Sequence, residues 1–252
     1  MAATAPASAT APATAPATAP SDAPPAPSPP AFPAAATVLV LVAHPTLEHS
    51  RINRRWLEAI RRADTPPRRV MVRDLYALYP DYLIDVQAEQ AALRDAQLVV
   101  WQHPIHWYAM PPLMKLWLDE VLTFGWAYGP GGSALQGKLL WLVASTGSAE
   151  AAYQPAGHNR HAFAAFLPPY EQTASLCGMR FVRPLVLHGA QQLSEAALLE
   201  HAARYAERLR AYPDWPELVD PLVCPDCSVP ELARPAPGAA RSGERALHWP
   251  SA

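Results

Sequence analysis

Three polar stretches of this chain each follow an apolar run, and each carries side chains able to bind or transform a small molecule. AHPTLEHSRIN, at 43–53, brings His44 and then Ser50, Arg51, Ile52 and Asn53 to the start of a predicted helix. A serine at a helix start leaves free backbone N–H groups and the positive end of the helix dipole beside it, which together hold a phosphate; equally, Ser50 can do no more than cap. HPIHWYAMPP, at 103–112, sets Trp107 and Tyr108 next to Ile105 and His106. Two large flat side chains in a loop suit a flat heteroaromatic ligand, or else pack onto the helix that follows. STGSAEAAYQPAGHN, at 145–159, begins with the small residues Ser145, Thr146, Gly147 and Ser148, whose backbone can approach a ligand closely. Tyr153 and His158 follow, a phenol and an imidazole that can donate protons or stabilise a developing phenolate, or that simply sit on a surface loop.

The elements that must position these loops read as alternating strands and helices. TVLVLVA at 37–43 is a continuous apolar run rich in β-branched residues, the pattern of a strand buried on both faces of a parallel sheet. RRVMVRDL (68–75), QLVVWQHP (97–104), KLLWLVAST (138–146) and FVRPLVLHG (181–189) supply four more strands. Pro184 places the last at an edge or a bulge, because proline cannot donate to a sheet ladder. Helices are predicted over 50–62, through AEQAALRDA, over 111–122 with prolines in the first turn, within 160–177, and through SEAALLEHAARYAERLRAY at 194–212. Strands alternating with helices give an α/β fold, a doubly wound five-stranded parallel sheet with helices on both faces. Such a sheet places ligands beyond the carboxyl ends of its strands.

Composition divides the 252 residues into three. Ten of the 30 prolines fall in residues 1–36, where Asp22 is the only charged side chain and Phe32 a rare apolar one, so this Ala/Pro-rich stretch is expected to be a disordered tail. Residues 37–212 form the domain, and 213–252, again proline-rich and aperiodic, form a C-terminal tail. A translation start near Val38 is the alternative account of the N-terminal stretch. That stretch lacks the basic and apolar regions of a secretory signal, no run approaches a membrane span, and three cysteines suggest no disulfide framework; the expectation is a cytoplasmic protein. A net charge of -2 gives no general attraction to nucleic acid or anionic lipid. The chain carries no GxGxxG turn, no GxxxxGK[ST] loop and no GxSxG elbow, which disfavours dinucleotide-binding Rossmann, P-loop and hydrolase readings.

The three loops, with LYPDYLIDVQAEQ, WQHPIHWYAMPPLMKLWLDEVLTFGWAYG and GGSALQGK, resemble the flavodoxin-like NAD(P)H:quinone oxidoreductase family over 37–212. The likeness is greatest to the ancillary quinone reductases of glutathione-gated potassium efflux systems. The resemblance implies a bound FMN, in preference to FAD. His44, Ser50, Arg51, Ile52 and Asn53 would hold its phosphate and ribityl chain. Ile105, His106, Trp107 and Tyr108 would lie along the isoalloxazine, with Ser145, Thr146, Gly147 and Ser148 at its pyrimidine edge. Tyr153 and His158 take the positions of catalytic residues that assist hydride transfer. It also implies a ping-pong cycle in which NADPH or NADH reduces the flavin and a quinone then takes both electrons. A homodimer is implied too, with Trp126 and Tyr128 reaching the neighbouring subunit's site. The alternative function is that of a regulatory ancillary subunit of a potassium efflux antiporter, with incidental catalysis and peripheral membrane association through that partner. Two departures stand out. His106 replaces the usual glutamine of HPxQWY, and Ser148 replaces the second glycine of a TTGG-like turn.

Two further features carry less. Cys224 and Cys227 form a lone CxxC without a second pair, so accidental spacing is favoured over a metal and no metal site is expected. Arg61, Arg62, Arg68 and Arg69, around Pro66 and Pro67, read as a solvated basic surface, with a docking patch as the alternative.

Overall fold

In the computed structural model, residues 37–63 and 69–219 are described. The terminal segments, Cys224, Cys227 and Arg68, and the turn at Pro66 and Pro67, lie outside them. Five strands, β1 (Thr37–Val42), β2 (Arg69–Asp74), β3 (Leu98–Pro104), β4 (Leu139–Ser145) and β5 (Arg180–Leu187), form one sheet in the order β2-β1-β3-β4-β5, every pair parallel. The α/β fold is the predicted one. β3 and β4 are buried along their whole length and β1 along nearly all of its own, which is why each reads as an unbroken apolar run rather than an alternation.

Alternate residues of each strand feed two separate cores. Leu39 and Leu41 face a cluster built with Leu93 of α3 (Val86–Asp95), Trp117 of α4 (Pro112–Val121) and Tyr170 of α5 (Pro168–Leu176). Val38, Val40 and Val42 face the opposite cluster, with Trp56 and Ile60 of α1 (Asn53–Ala63) and Tyr205 and Leu209 of α6 (Glu195–Ala211). Two four-residue helices, α2 (Leu75–Leu78) and α7 (Pro216–Val219), complete the set.

Three local outcomes differ from simple expectation or refine it. β5 is an edge strand, and its register with β4 slips between Trp141 and Val143, so Pro184 sits opposite an irregularity where no ladder donor is needed. The strand read through Leu75 stops at Asp74, whose carboxylate caps α2 by accepting from the Ala77 N–H (3.4 Å). The packed core also runs beyond residue 213, the sequence-derived start of the C-terminal tail. Trp215 is buried, donates from Nε1 to the Arg208 carbonyl (2.7 Å) and meets Trp141 edge-on, and Leu218 packs below it. A single buried aromatic after a helix has no periodicity to announce it.

The chain runs from β1 outward to β2, then returns past β1 to β3, so the strand order reverses between β1 and β3. That reversal opens a crevice at their carboxyl ends.

Candidate functional site

The loops that leave β1, β3 and β4 converge on that crevice. A cleft of about 450 Å³ is lined by His44, Ser50, Arg51, Ile52 and Asn53 from the first loop, Ile105 and His106 from the second, and Ser145, Thr146 and Gly147 from the third. A second cleft of about 420 Å³ is lined by Trp107, Tyr108, Ser148, Tyr153 and His158, and shares Ile105, Gly147 and Gln191 with the first. The two are one continuous depression, and the fifteen residues that the sequence assigned to cofactor binding and catalysis all border it. A separate cavity of about 530 Å³ lies between β5 and the end of α6 and contains none of them.

Local chemistry explains the first wall. Ser50 Oγ accepts the Asn53 N–H (3.0 Å), so the serine closes a turn and the regular helix starts at Asn53, three residues after the predicted start. Asn53 then ties the crevice together. Its carbonyl accepts from Gln102 Nε2 (3.1 Å) at the end of β3, and its Nδ2 donates to Ser145 Oγ (3.3 Å) at the end of β4. Asn53 Oδ1 is buried and has no partner among the described residues. In the first loop the Thr46 N–H donates to His44 Nδ1 (3.1 Å), which fixes the neutral imidazole with its proton on Nε2. Burial lowers the pKa of His44, and the facing His106 ring, 6.5 Å away edge-on, lowers it further.

The second wall is held under backbone strain. His106 and Ala109 exchange both backbone hydrogen bonds (2.9 and 3.0 Å), a two-residue hairpin whose central residues, Trp107 and Tyr108, have φ of 50° and 65°. Bulky side chains rarely occupy that left-handed region. Trp107 is 93 % exposed, so it does not pack onto α4, while Tyr108 stacks on Phe166 (5.2 Å) and donates from its hydroxyl to Asn159 Oδ1 (3.4 Å).

In the third wall, Ser145 and Thr146 are buried and the chain turns at Gly147, where an added Cβ would meet no protein atom within 4 Å. Neither the Gly147 nor the Ser148 N–H donates to a described group. Tyr153 is only 6 % exposed, and burial raises the pKa of its phenol. His158 is exposed at the rim.

Sequence reasoning missed the contribution of the segment after β5. Gln191 lines both clefts, and His188 lies behind Thr146 and Tyr153. The signal was positional only: these residues follow the carboxyl end of a strand, as the other three loops do. Trp126 and Tyr128 line neither cleft. The Trp126 ring lies under the Arg94 guanidinium (5.6 Å), and Tyr128 packs against Phe124 beside a separate hollow at α4 and α5. Among the described residues no His/Cys/Asp/Glu cluster suits a metal, and no helix is long and apolar enough to cross a membrane.

Comparison with known proteins adds to this geometry. The Flavodoxin_2 family model, described as a flavodoxin-like fold, matches residues 36–209. The glutathione-regulated potassium-efflux system ancillary protein KefF of Salmonella typhi is 44 % identical over 176 residues, which span 69 % of this chain and 96 % of that protein. The structure of general stress protein 14 from Treponema denticola, solved in complex with FMN, is 40 % identical, with a TM-score of 0.63 over 71 % of this chain and 98 % of the other. An NADPH-quinone reductase from P. pentosaceus is 26 % identical, with a TM-score of 0.60 over 68 % and 96 % of the two chains.

Proposed function

The chain belongs to the flavodoxin-like Flavodoxin_2 family, and from that premise we propose that it is an oxidoreductase, an FMN-dependent NAD(P)H:quinone reductase. The observation that carries this reading is the convergence of three strand-end loops on one continuous two-part cleft at the reversal of strand order. The FMN-bound relative and the NADPH-quinone reductase relative support the choice of cofactor and substrate class.

The residues present fit such a group. At the start of α1 the Ser50–Asn53 turn and the buried, unanswered Asn53 Oδ1 supply a positive helix end and a free acceptor for the phosphate and ribityl chain. Gly147 opens space for a close backbone approach, and the uncommitted N–H groups of 147 and 148 suit the carbonyl-rich edge of a pyrimidine ring. Ile105, His106, Trp107 and Tyr108 would border the ring system. When bound, FMN supplies a carrier that accepts two electrons from a nicotinamide and passes them to a quinone, which makes the cycle ping-pong.

The chain's own residues do the rest. Tyr153, a neutral phenol that burial makes still harder to ionise, holds a proton donor at the second cleft, where a quinone oxygen gains negative charge. His158 at the rim provides a second proton source, and the exposed Trp107 offers a face on which a flat substrate stacks. Leu176 borders the hollow at α4 and α5 with Tyr128, against which Phe124, 67 % exposed, packs, and we assign this apolar surface to a homodimer contact that brings Trp126 and Tyr128 towards a partner's site. The purified protein is expected to be yellow, to release a cofactor of FMN mass, and to oxidise NADPH or NADH with a benzoquinone. Colourless protein that fails to take up added FMN would overturn the proposal.

The 44 % identity to KefF supports a second, compatible role as an ancillary subunit of a potassium efflux antiporter at the membrane. Co-purification with such an antiporter supports that role. Retention of the antiporter's full gating after deletion of this protein would remove it.

A further inference from the structure

We propose that His188 is a positioning residue. Through the Thr146 hydroxyl it holds the 145–148 turn, and with it the Tyr153 phenol, in the geometry that two-electron reduction requires. The inference rests on the reductase reading for its consequence, but on the bare chain for its geometry.

His188 is the first residue beyond β5 and lines neither cleft. Thr146 Oγ1 donates its single proton to the Ser148 carbonyl (2.8 Å), so at its 3.0 Å contact with His188 Nδ1 the hydroxyl can only accept. His188 therefore carries its proton on Nδ1. The relay runs from imidazole to hydroxyl to the carbonyl of the residue at the cleft edge, and it leaves the Thr146 hydroxyl one orientation.

The backbone repeats the grip. The Thr146 N–H donates to the Leu187 carbonyl (2.9 Å), the Gly189 N–H to Ser148 (2.8 Å) and the Ala190 N–H to Thr146 (2.9 Å). Three main-chain bonds and one side-chain bond thus clamp the segment after β5 onto the turn after β4. On its other sides the imidazole meets the Tyr153 ring at 5.2 Å and the Phe163 ring at 5.1 Å. One imidazole touches both the turn that presents backbone N–H groups to the first cleft and the phenol that lines the second. Burial keeps it neutral by lowering its pKa, with Glu150 opposing.

The test compares His188→Leu, which keeps bulk but loses the donor, with His188→Asn, whose amide nitrogen stands where Nδ1 does. Each is measured for steady-state kinetics with NADPH and a benzoquinone. Each is also measured for amide hydrogen exchange over 145–149 in the flavin-stripped full chain. His188→Leu is expected to lower kcat by roughly 5- to 30-fold, the worth of a hydrogen bond lost with its acceptor stranded. KM should move by less than about 2-fold, and exchange of the turn should accelerate by a factor similar to the loss in kcat. His188→Asn should recover most of both. Thr146→Val should reproduce the exchange change without adding to it in the double variant. Equal behaviour of the leucine and parent proteins would overturn the proposal. So would an asparagine variant as damaged as the leucine one, which would mean that only the ring's bulk matters. If the parent itself neither binds FMN nor oxidises NADPH, the reductase reading fails, while the exchange comparison still decides whether His188 holds the turn.

Discussion

Around Glu89, groups from three other parts of the chain close on a single buried carboxylate. Arg73 donates from Nε (2.7 Å), the Tyr79 hydroxyl from 2.5 Å, and Trp117 Nε1 from 3.0 Å, while the Tyr79 oxygen itself accepts from Arg73 (3.2 Å). Around Asn53, equally buried, the same kinds of group are only half answered: Asn53 Oδ1 and Gln102 Oε1 have no partner among the described residues. A buried polar atom left without a hydrogen bond costs free energy, and under the proposed function a bound cofactor is what would complete the second cluster. The first cluster ties β2, α3 and α4 together and needs nothing more. The contrast separates a polar cluster complete within the chain from one that the proposed function assigns to a ligand, and each can be broken independently.

The largest effect is expected at the completed cluster. Glu89→Ala leaves the Arg73 charge and two donors unanswered in the core, a change that typically costs about 3 to 5 kcal/mol. Urea unfolding should show that loss, while FMN affinity of the folded protein stays within about 3-fold of the parent, since no residue of this cluster borders either cleft. A large loss of affinity at unchanged stability would erase the distinction.

His103 tests the converse, because an unanswered atom need not face a ligand. It neighbours Gln102 on β3 but is fully buried on the opposite side, stacked on Tyr170 (5.8 Å), with Nδ1 on the Pro104 carbonyl (2.9 Å) and Nε2 lacking a partner. Desolvation lowers its pKa from 6.5 to about 4. The unfolded chain then binds the proton more readily than the folded one between those values, so stability is full above pH 6.5 and falls by about 3 kcal/mol on descending to pH 4. His103→Asn should flatten that acid limb in urea titrations. An unchanged slope would show that His103 does not contribute to it.

At the open cluster the effect moves from stability to binding. Asn53→Ala removes the free acceptor and the Ser145 bond, and should weaken FMN binding by roughly 10-fold, about 1.4 kcal/mol, as read by fluorescence of the free flavin. The unfolding midpoint should move less than for Glu89→Ala, and the reverse order would sink the comparison.

How much of this was legible before the coordinates follows from which forces leave a local mark. A strand buried on both faces leaves a run such as TVLVLV, and a loop that must meet a ligand places its polar residues directly after that run, so the sheet and three of its loops could be read off. His188 and Gln191 could not, because β5 is a half-exposed edge strand whose mixed sequence makes its last residues look like any other surface. Trp215 was missed for want of periodicity, and the partnerless state of Asn53 Oδ1 depends on β3 and β4, far away in sequence. Long-range complementarity leaves no trace in spacing.

The hairpin at Trp107 and Tyr108 carries the smallest predicted change and joins the two kinds of cost. Both residues sit at positive φ, where the sequence preference is Asn-Gly, and neither side chain is buried enough to explain the choice, with Trp107 93 % exposed and Tyr108 47 % exposed. Strain of this kind persists where the surroundings impose it and the conformation is used. Replacing the pair, Trp107→Asn with Tyr108→Gly, should therefore stabilise the flavin-free protein by roughly 1 kcal/mol in urea unfolding, while lowering kcat/KM for a quinone. A variant that is both more stable and fully active would mean that the aromatic pair is not used by the cleft. A variant that is less stable would mean that the stacking of Tyr108 on Phe166 outweighs the backbone strain, and that this wall belongs with the completed cluster instead.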